Sequence, residues 1–510
     1  MKLQPFVLTP EEEKICATLM ATNQRFNLGT TFRWAGGIVR DKLLGIPSDD
    51  IDICLNTMTG KKFSEFLFQM GSQFGVSGKS YVVDLNAEKS KHLETCAVEI
   101  WGRKIDFVNL RSEKYGDSRI PEVSIGTPEQ DAQRRDLTVN SLMFNINSGE
   151  IEDFTNGIKD LENMILRTPL ESRRTFLDDP LRILRVCRFF SRFENATLDP
   201  SILQAMADPE VHEAFRQKVS SERSGPEITK LLAGARPAES LRILFDTGMD
   251  KAVFNVPKMR ELNDLNMSQR NDHHKHSVLD HTLLVVKNLH ELLKQENADA
   301  DLRVKMLMAA TFHDIGKCHP DIGKPKEKDP TQFSYIGHED KSAEIAHEIM
   351  RSIGIPEQDR RFVARVVSLH MRPHTEEWTP KMIGRFLRDC QIPGQENAEV
   401  WKHVMLHAIA DTLSKDSANP DVEDAKKKRQ HMQMMQDFMT EKGRSVTKPV
   451  LNGLEVMTLF PTLKPSSGFI KEVSEKLLDA QATGVVVDQK TAEKFIQNMR
   501  AYIEEKFKAD

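Results

Sequence analysis

Between Gly36 and Asp52 the chain reads G-G-I-V-R-D-K-L-L-G-I-P-S-D-D-I-D. The pair Gly36-Gly37 predicts a tight turn opening a short helix, where backbone N–H groups can cradle phosphate oxygens. Arg40 adds a cation to that helix. Asp50 and Asp52 alternate with Ile51 and Ile53, so a strand would carry both carboxylates on one face. Two carboxylates so placed can share Mg²⁺ with a bound triphosphate. Glycines, an arginine and paired aspartates in this order predict nucleotidyl transfer.

Further residues suit the same chemistry. Lys104-Ile105-Asp106-Phe107-Val108 alternates like a strand and would bring Asp106 in as a third carboxylate. The stretch 116–131, rich in Gly, Pro and charge, reads as a mobile loop beside the site. Arg134 and Arg135 can neutralise phosphates, and Asp136 and Asn140 can hold ribose hydroxyls. Asp178-Asp179-Pro180 opens a helix, with proline suited to its first turn and an aspartate suited to capping it. Arg182, Arg185 and Arg188 follow at intervals of three and put a basic stripe on an otherwise apolar helix.

A second kind of chemistry lies later in the chain. Fourteen of the sixteen histidines fall between His273 and His431, and only His92 and His212 precede them. Nothing about a helical core calls for that clustering, so a second metal centre is expected there. His281 lies on an amphipathic helix. His313-Asp314 ends another helix, His338 and His370 follow, and Asp411 comes last.

The elements that must position these groups fall into two styles. Strand patterns occupy 51–55, 81–84, 97–100, 104–109 and 142–145, and from about 157 onward the periodicity is almost wholly helical. A helix is expected within 1–30, and the polar region 251–272 reads as a junction. With 510 residues there is room for roughly three or four domains. Charged residues make up 29 %, and no apolar run approaches the ~20 residues of a membrane span. The first residues carry neither an apolar signal core nor an Arg-rich transit pattern. Six scattered cysteines without Cys-x-x-Cys argue for reduced thiols and against a zinc ribbon, so a cytoplasmic protein is expected. The net charge of −5 does not announce a nucleic-acid partner, and any basic surface must be local.

The ordered set Gly-Gly-x-x-Arg-Asp, Asp-x-Asp, Arg-Arg-Asp-x-Thr-x-Asn, Asp153-x-x-x-Gly157-x-x-Asp160-Leu161, Asp-Asp-Pro-Leu-Arg and Ser220-Ser221-Glu222-Arg223 with Glu227 resembles the class II tRNA nucleotidyltransferases. These are the CCA-adding enzymes, with the bacterial-type poly(A) polymerases as relatives. The resemblance implies that Asp50 and Asp52 bind catalytic Mg²⁺ and that Gly36, Gly37, Arg40 and Arg135 meet the incoming nucleotide. It implies that Asp179 and Arg182 present hydrogen-bonding edges to the base, with Arg185 and Arg188 on the triphosphate. The family usually has Glu where Asp178 stands, a change that keeps the charge.

The later residues resemble the HD phosphohydrolase superfamily. The resemblance implies a divalent metal at His281, His313, Asp314 and Asp411, with His338 and His370 matching the additional histidines of two-metal members. Ni²⁺, Mn²⁺, Co²⁺ and Fe²⁺ all suit such ligands. It further implies hydrolysis of 2′,3′-cyclic phosphates, 2′-phosphates or terminal phosphates that block an RNA 3′ end. The implied fold is α+β, with a nucleotidyltransferase head bearing a small mixed sheet. Boundaries are expected at 1–30 (N-terminal helix), 31–156 (head), 157–255 (helical neck), 256–420 (HD domain) and 421–510 (helical tail). Residues 448–480 resemble the C-terminal part of HD-bearing members. The spacing around 89–95 resembles eukaryotic members, whereas the HD domain resembles bacterial ones. Implied partners are tRNA, ATP and CTP. A poly(A) polymerase, an enzyme adding only CC or only A, and a hydrolase whose head merely binds RNA are the alternatives.

Overall fold

A computed structural model describes residues 2–48, 50–83, 95–114, 122–271, 275–375, 377–395, 398–442, 447–461 and 467–507. The chain divides into two compact units, Met1–Val253 and Phe254–Asp510.

The first unit begins with helix α1 (Pro10–Arg25), shorter than the expected span. Thr9 and Glu12 form a reciprocal capping box that fixes its start. The sheet that follows is built from β1 (Phe32–Ala35), β2 (Ile51–Leu55), β3 (Val76–Val83), β4 (Thr95–Ile100) and β5 (Arg103–Asn109). Strands β6 (Arg111–Lys114) and β7 (Glu122–Ile125) pair separately, and β8 (Met143–Asn145) and β9 (Glu150–Glu152) return to the main sheet. Its order is β3-β4-β5-β2-β1-β8-β9, with β2 and β5 parallel and the other neighbours antiparallel, which makes the sheet mixed.

Four of the five expected strand stretches lie within β2, β4, β5 or β8, or overlap them closely. The fifth joins β3, which starts earlier, and its last residue, Asp84, lies outside the described residues. So does most of 89–95.

The expected loop at 116–131 needs correction. Residues 115–121 lie outside the described residues, but the rest is ordered structure. Glu122–Ile125 pairs with β6, and Thr127 caps a short helix α4 (Pro128–Gln133) with Gln130 completing the box. Charge and proline disguised a strand and a capped helix start as a loop.

The helices packed beside this sheet are α2 (Gly37–Leu43) and α3 (Gly60–Met70). Odd positions of β2 and β5 (Ile53, Leu55, Ile105, Phe107) are fully buried, and Phe107 packs on Phe63 of α3, which packs on Phe32. Even positions point the other way, so Asp52 and Asp106 share the opposite face.

The neck runs through α5 (Gly157–Asn163), α6 (Ser172–Asp178), α7 (Leu181–Arg192), α8 (Pro200–Met206) and α9 (Pro209–Lys218). It continues through α10 (Ser221–Leu232), α11 (Pro237–Asp246) and α12 (Asp250–Val253). One small departure from helix is a parallel pair, Ile165–Leu166 with Thr197–Leu198.

Among its described residues the second unit is helical apart from a two-strand pair, Lys324–Pro325 with Phe333–Ser334, and a single bridge between Ser268 and Ser277. After α13 (Pro257–Arg260) come α14 (Val278–Gln295), α15 (Ala300–Phe312), α16 (His338–Ser352) and α17 (Glu357–Leu369). Then follow α18 (Arg372–Thr375), α19 (Pro380–Asp389), α20 (Val400–Leu413) and α21 (Val422–Lys442). The last helices, α22 (Gly453–Leu459), α23 (Ser467–Ala482), α24 (Gln489–Asn498) and α25 (Arg500–Phe507), close on an apolar cluster that includes Phe460, Phe469, Leu477 and Ile496. All six cysteines are buried free thiols. Among the described residues no helix is long and apolar enough to cross a membrane.

Candidate functional site

In the first unit the even face of β2 and β5 opens into a cavity of about 1040 Å³. Strand register places Asp52 directly opposite Asp106. Asp50 stands just before β2, and ligand oxygens of all three carboxylates lie within 4.8 Å of one another. Burial, followed by the charge of Asp50, pushes the Asp52 carboxyl up to about 6. Carboxylates crowded in this way call for a cation, and an all-oxygen donor set suits Mg²⁺.

Gly36 turns the chain from β1 into α2 with φ +75°. A Cβ there would meet Arg135 Nη1 at 2.7 Å, so the glycine serves both the left-handed turn and the close approach of the arginine.

Eleven basic and seven acidic side chains line the cavity, an excess that favours an anionic ligand. Several arginines are fixed by carboxylates of their own. Asp131 on α4 is fully buried and takes Arg134 Nη2 at 2.6 Å and Arg135 Nη2 at 2.8 Å. Burial alone would raise its pKa, but Arg135 and Arg134 outweigh that and hold it at about 2. Asp136 is likewise held at about 2, its burial outweighed by Arg185, whose Nε lies 2.8 Å away, and by the Asn140 amide.

Asn140 Oδ1 accepts from buried Arg40, which also bonds Asp41 and lies over the Phe189 ring at 4.9 Å. Asp136, Asn140 and Arg40 thus form one internal network on the cavity wall. Arg182 donates to the carbonyls of Arg134 (2.6 Å) and Thr175 (3.2 Å). Arg188 pairs with Glu227 at 3.0 Å. Asp179 follows α6 and precedes Pro180, and Arg223 of α10 holds its carboxylate. The residues expected of the head all line this cavity except Asp106, which joins it through the carboxylate cluster. The roles of Asp131 and Arg223 were not read from the sequence, because a buried clamp and a surface charge have the same letters.

In the second unit His313 ends α15, His338 begins α16, His370 ends α17, and His281 and Asp411 lie within α14 and α20. Gly316, in the 3₁₀ turn after Asp314, lets that turn approach α16, because a Cβ would meet His338 O at 2.5 Å. Four imidazoles are oriented alike. Nδ1 of His313, His338 and His370 each faces the carbonyl three residues back at 2.7–2.8 Å, and Nδ1 of His281 faces Ser414 O at 3.1 Å. A carbonyl only accepts, so Nδ1 carries a proton and Nε2 is the nitrogen left to face the cluster.

Those Nε2 atoms converge on Asp314. Its Oδ2 faces His313 (3.3 Å) and His281 (3.6 Å), and its Oδ1 faces His338 (3.1 Å) and His370 (3.7 Å). His338 Nε2 and His370 Nε2 stand 3.2 Å apart. Two bare lone pairs at that distance repel unless a cation or proton lies between them. The donor set therefore fits a divalent ion on each side of Asp314, with imidazole ligands suited to Ni²⁺, Mn²⁺ or Co²⁺.

Asp411 lies 2.8 Å from His281. Burial opposes ionisation of Asp314 and Asp411, yet their basic neighbours hold both well below the usual carboxylate range.

Three residues here were not singled out from sequence. Lys317 Nζ reaches Asp314 Oδ2 at 2.7 Å, His374 Nε2 reaches Asp411 Oδ2 at 2.8 Å, and the buried His407 ring lies 4.9 Å from that of His313. His407 stands four residues before Asp411 on one helix face, a spacing that could have revealed it. Ser277 caps α14 by accepting from Asp280 N.

A nucleotide-binding head on a mixed sheet and an imidazole–carboxylate cluster on a helical bundle define a two-centre protein. Residues 32–167 match the poly A polymerase head domain and residues 278–427 match the HD domain, so the chain carries both. The mitochondrial CCA tRNA nucleotidyltransferase of Saccharomyces cerevisiae is 43 % identical over 293 residues, covering 54 % of this chain and 54 % of its own length. The multifunctional CCA protein of Chromobacterium violaceum is 29 % identical over 362 residues, covering 70 % and 78 %. The chain thus spans about half the length of the first relative (54 %) and more of the bacterial one. The fold resembles that of the Thermotoga maritima CCA-adding enzyme complexed with tRNA, with a TM-score of 0.57, 18 % identity and 96 % of each chain covered.

Proposed function

We propose that the head adds CCA to the 3′ end of tRNA from CTP and ATP without a nucleic-acid template. The observation that carries this reading is the meeting, in one cavity, of the carboxylate cluster with the Asp179–Arg182 start of α7. Asp50, Asp52 and Asp106 would hold Mg²⁺. Bound there, the metal supplies activation of the RNA 3′-hydroxyl and charge stabilisation of the departing pyrophosphate. Gly36 and Gly37 let the backbone approach the phosphates. Arg135, Arg185 and Arg188 neutralise them, and Arg40, Asp136 and Asn140 shape the wall that receives the nucleotide. Asp179 and Arg182 offer an acceptor and a donor edge, as the choice of C and A by protein alone requires.

The second unit supports a repair role. Its His281, His313, Asp314 and Asp411, with His338 and His370, would hold Ni²⁺, Mn²⁺ or Co²⁺, and a metal so held supplies an activated hydroxide. Hydrolysis of 2′,3′-cyclic phosphates, 2′-phosphates or terminal phosphates would free the hydroxyl that the head extends. Free thiols throughout fit a reducing compartment such as the cytoplasm.

One incubation tests these readings. Protein, Mg²⁺, Ni²⁺, CTP and ATP are mixed with tRNAs lacking CCA, ending in CC, or ending in a 2′,3′-cyclic phosphate, and the products are sequenced. Completed CCA ends on all three are expected. A homopolymeric A tail would instead identify a poly(A) polymerase, and products stopping after CC, or grown only from CC, would identify a partial adder.

A further inference from the structure

Beside the histidine cluster the second unit holds another cavity, of about 420 Å³, whose lining includes His374, Trp378, Lys415, Lys427, Lys428 and His431. His374 joins it to the cluster, since the same imidazole lies 2.8 Å from Asp411 Oδ2. Three lysines face two carboxylates here. Asp424 is already taken by Lys428 and by the Thr412 hydroxyl. Lys415 and Lys427 are in no ion pair among the described residues, so two ammonium groups remain available to an anion.

The opposite chemistry lines the same space. The Trp378 and His431 rings lie 6.4 Å apart at 60°. The Trp378 indole N–H and His431 Nδ1 are both buried without a hydrogen-bond partner. Burying polar atoms unpaired is costly, and the two rings bring π faces against which a base can stack.

We propose that this cavity seats the terminal nucleotide of a phosphate-ended RNA, with its base against Trp378 and His431. Lys415 and Lys427 hold the phosphate on the 5′ side of that nucleotide. The 3′-side phosphate reaches toward Asp411 and the histidines, where the cluster's own cation sites meet it. The lysines are therefore left for the second phosphate, which distinguishes an RNA end from a free nucleoside phosphate. The assignment of the reacting end rests on the phosphohydrolase reading above; seating of the nucleotide does not.

The test uses the full-length protein stripped of metal with EDTA, titrated calorimetrically with adenosine 2′,5′-bisphosphate and adenosine 2′-monophosphate. The bisphosphate should bind about a hundredfold tighter, about tenfold for each of two charged hydrogen bonds. Lys415→Ala with Lys427→Ala should erase that preference, and Trp378→Ala should weaken both ligands. The head variant Asp179→Ala should keep the preference, which separates this cavity from the head. The lysine double variant should keep the wild-type circular dichroism spectrum and melting transitions, which shows that its second unit is folded. A preference that survives in the lysine double variant, or that vanishes in Asp179→Ala, overturns the proposal, as does wild-type protein that shows no preference. Binding as expected, with no cleavage of a 2′,3′-cyclic end in Ni²⁺, Mn²⁺ or Co²⁺, would leave the cavity assigned and sink the phosphohydrolase reading alone.

Discussion

Arg223 Nη2 lies 3.1 Å from Asp179 Oδ1 and 2.9 Å from Oδ2, so one guanidinium nitrogen holds both oxygens of the carboxylate proposed to read the incoming base. The Leu181 N–H adds a contact of 3.3 Å to Oδ1. A carboxylate held from α10 and from the first turn of α7 keeps one orientation while nucleotides exchange, and a base-selecting group needs that constancy.

Nucleotide choice should depend on this pair. Asp179→Ala should scramble the preference between CTP and ATP more than it weakens triphosphate binding. Arg223→Ala should loosen the same preference by about tenfold, the effect of losing one charged hydrogen bond. Competition between labelled CTP and ATP on a tRNA ending in CC measures both. An unchanged preference in Asp179→Ala would remove it from base selection.

Asp52→Ala should lower nucleotide incorporation at least about a thousandfold, as loss of a transition-state charge stabiliser does. The raised carboxyl of Asp52 predicts a second result. A raised pKa means that the folded state binds the proton more tightly than the unfolded chain, so this group's contribution is present at low pH and lost as pH climbs through about 6. At neutral pH without metal the ionised side chain is a burden, and Asp52→Ala should melt no lower than wild type. Calorimetry in EDTA reads this directly.

Asp131 carries the opposite sign. Its carboxyl is held at about 2, below its unfolded value, so its stabilisation is present above about pH 4 and is lost as pH falls toward 2. Asp131→Ala should strand Arg134 and Arg135 on the cavity wall at a cost of about 3 kcal/mol. Urea unfolding near neutral pH should show that loss, and it should shrink in acid. A pH-independent deficit would mean that the ion pairs are not its source.

In the second unit, His313→Ala with Asp314→Ala removes the carboxylate that faces both histidine pairs. Metal bound per chain should fall to near zero at the cluster, measured by elemental analysis after dialysis. Phosphohydrolase activity should vanish while CCA addition continues. Hydrolysis persisting in metal-supplemented assays would refute the site.

The head was legible because its chemistry sits where local pattern and function coincide. Alternation in Asp50–Ile53 and Lys104–Val108 announces strands, and parallel pairing of β2 with β5 then sets Asp52 opposite Asp106. The clustering of the histidines announced a second centre, and the resemblance to the HD superfamily supplied its ligand set. What escaped depends on tertiary position. Glu122–Ile125 and the Thr127 cap look like loop residues until their partners are known. The resemblance implies that Arg40 meets the nucleotide, and Asp136 and Asn140 read as ribose ligands by residue type, yet the three bond one another, because a buried arginine must find acceptors within the protein. His374 has no local pattern of its own, since the break between α17 and α18 turns it toward Asp411.

The buried cysteines have a practical consequence. Burial pushes the thiols of Cys16, Cys54, Cys187 and Cys318 up to about 12, and raises that of Cys390 well above the ordinary thiol range. Alkylating reagents attack the thiolate, so native chains should stay dark to maleimide dyes while unfolded chains light up. A single cysteine introduced at a surface position would then carry the only fluorophore, giving a clean vantage point from which to watch RNA arrive and leave.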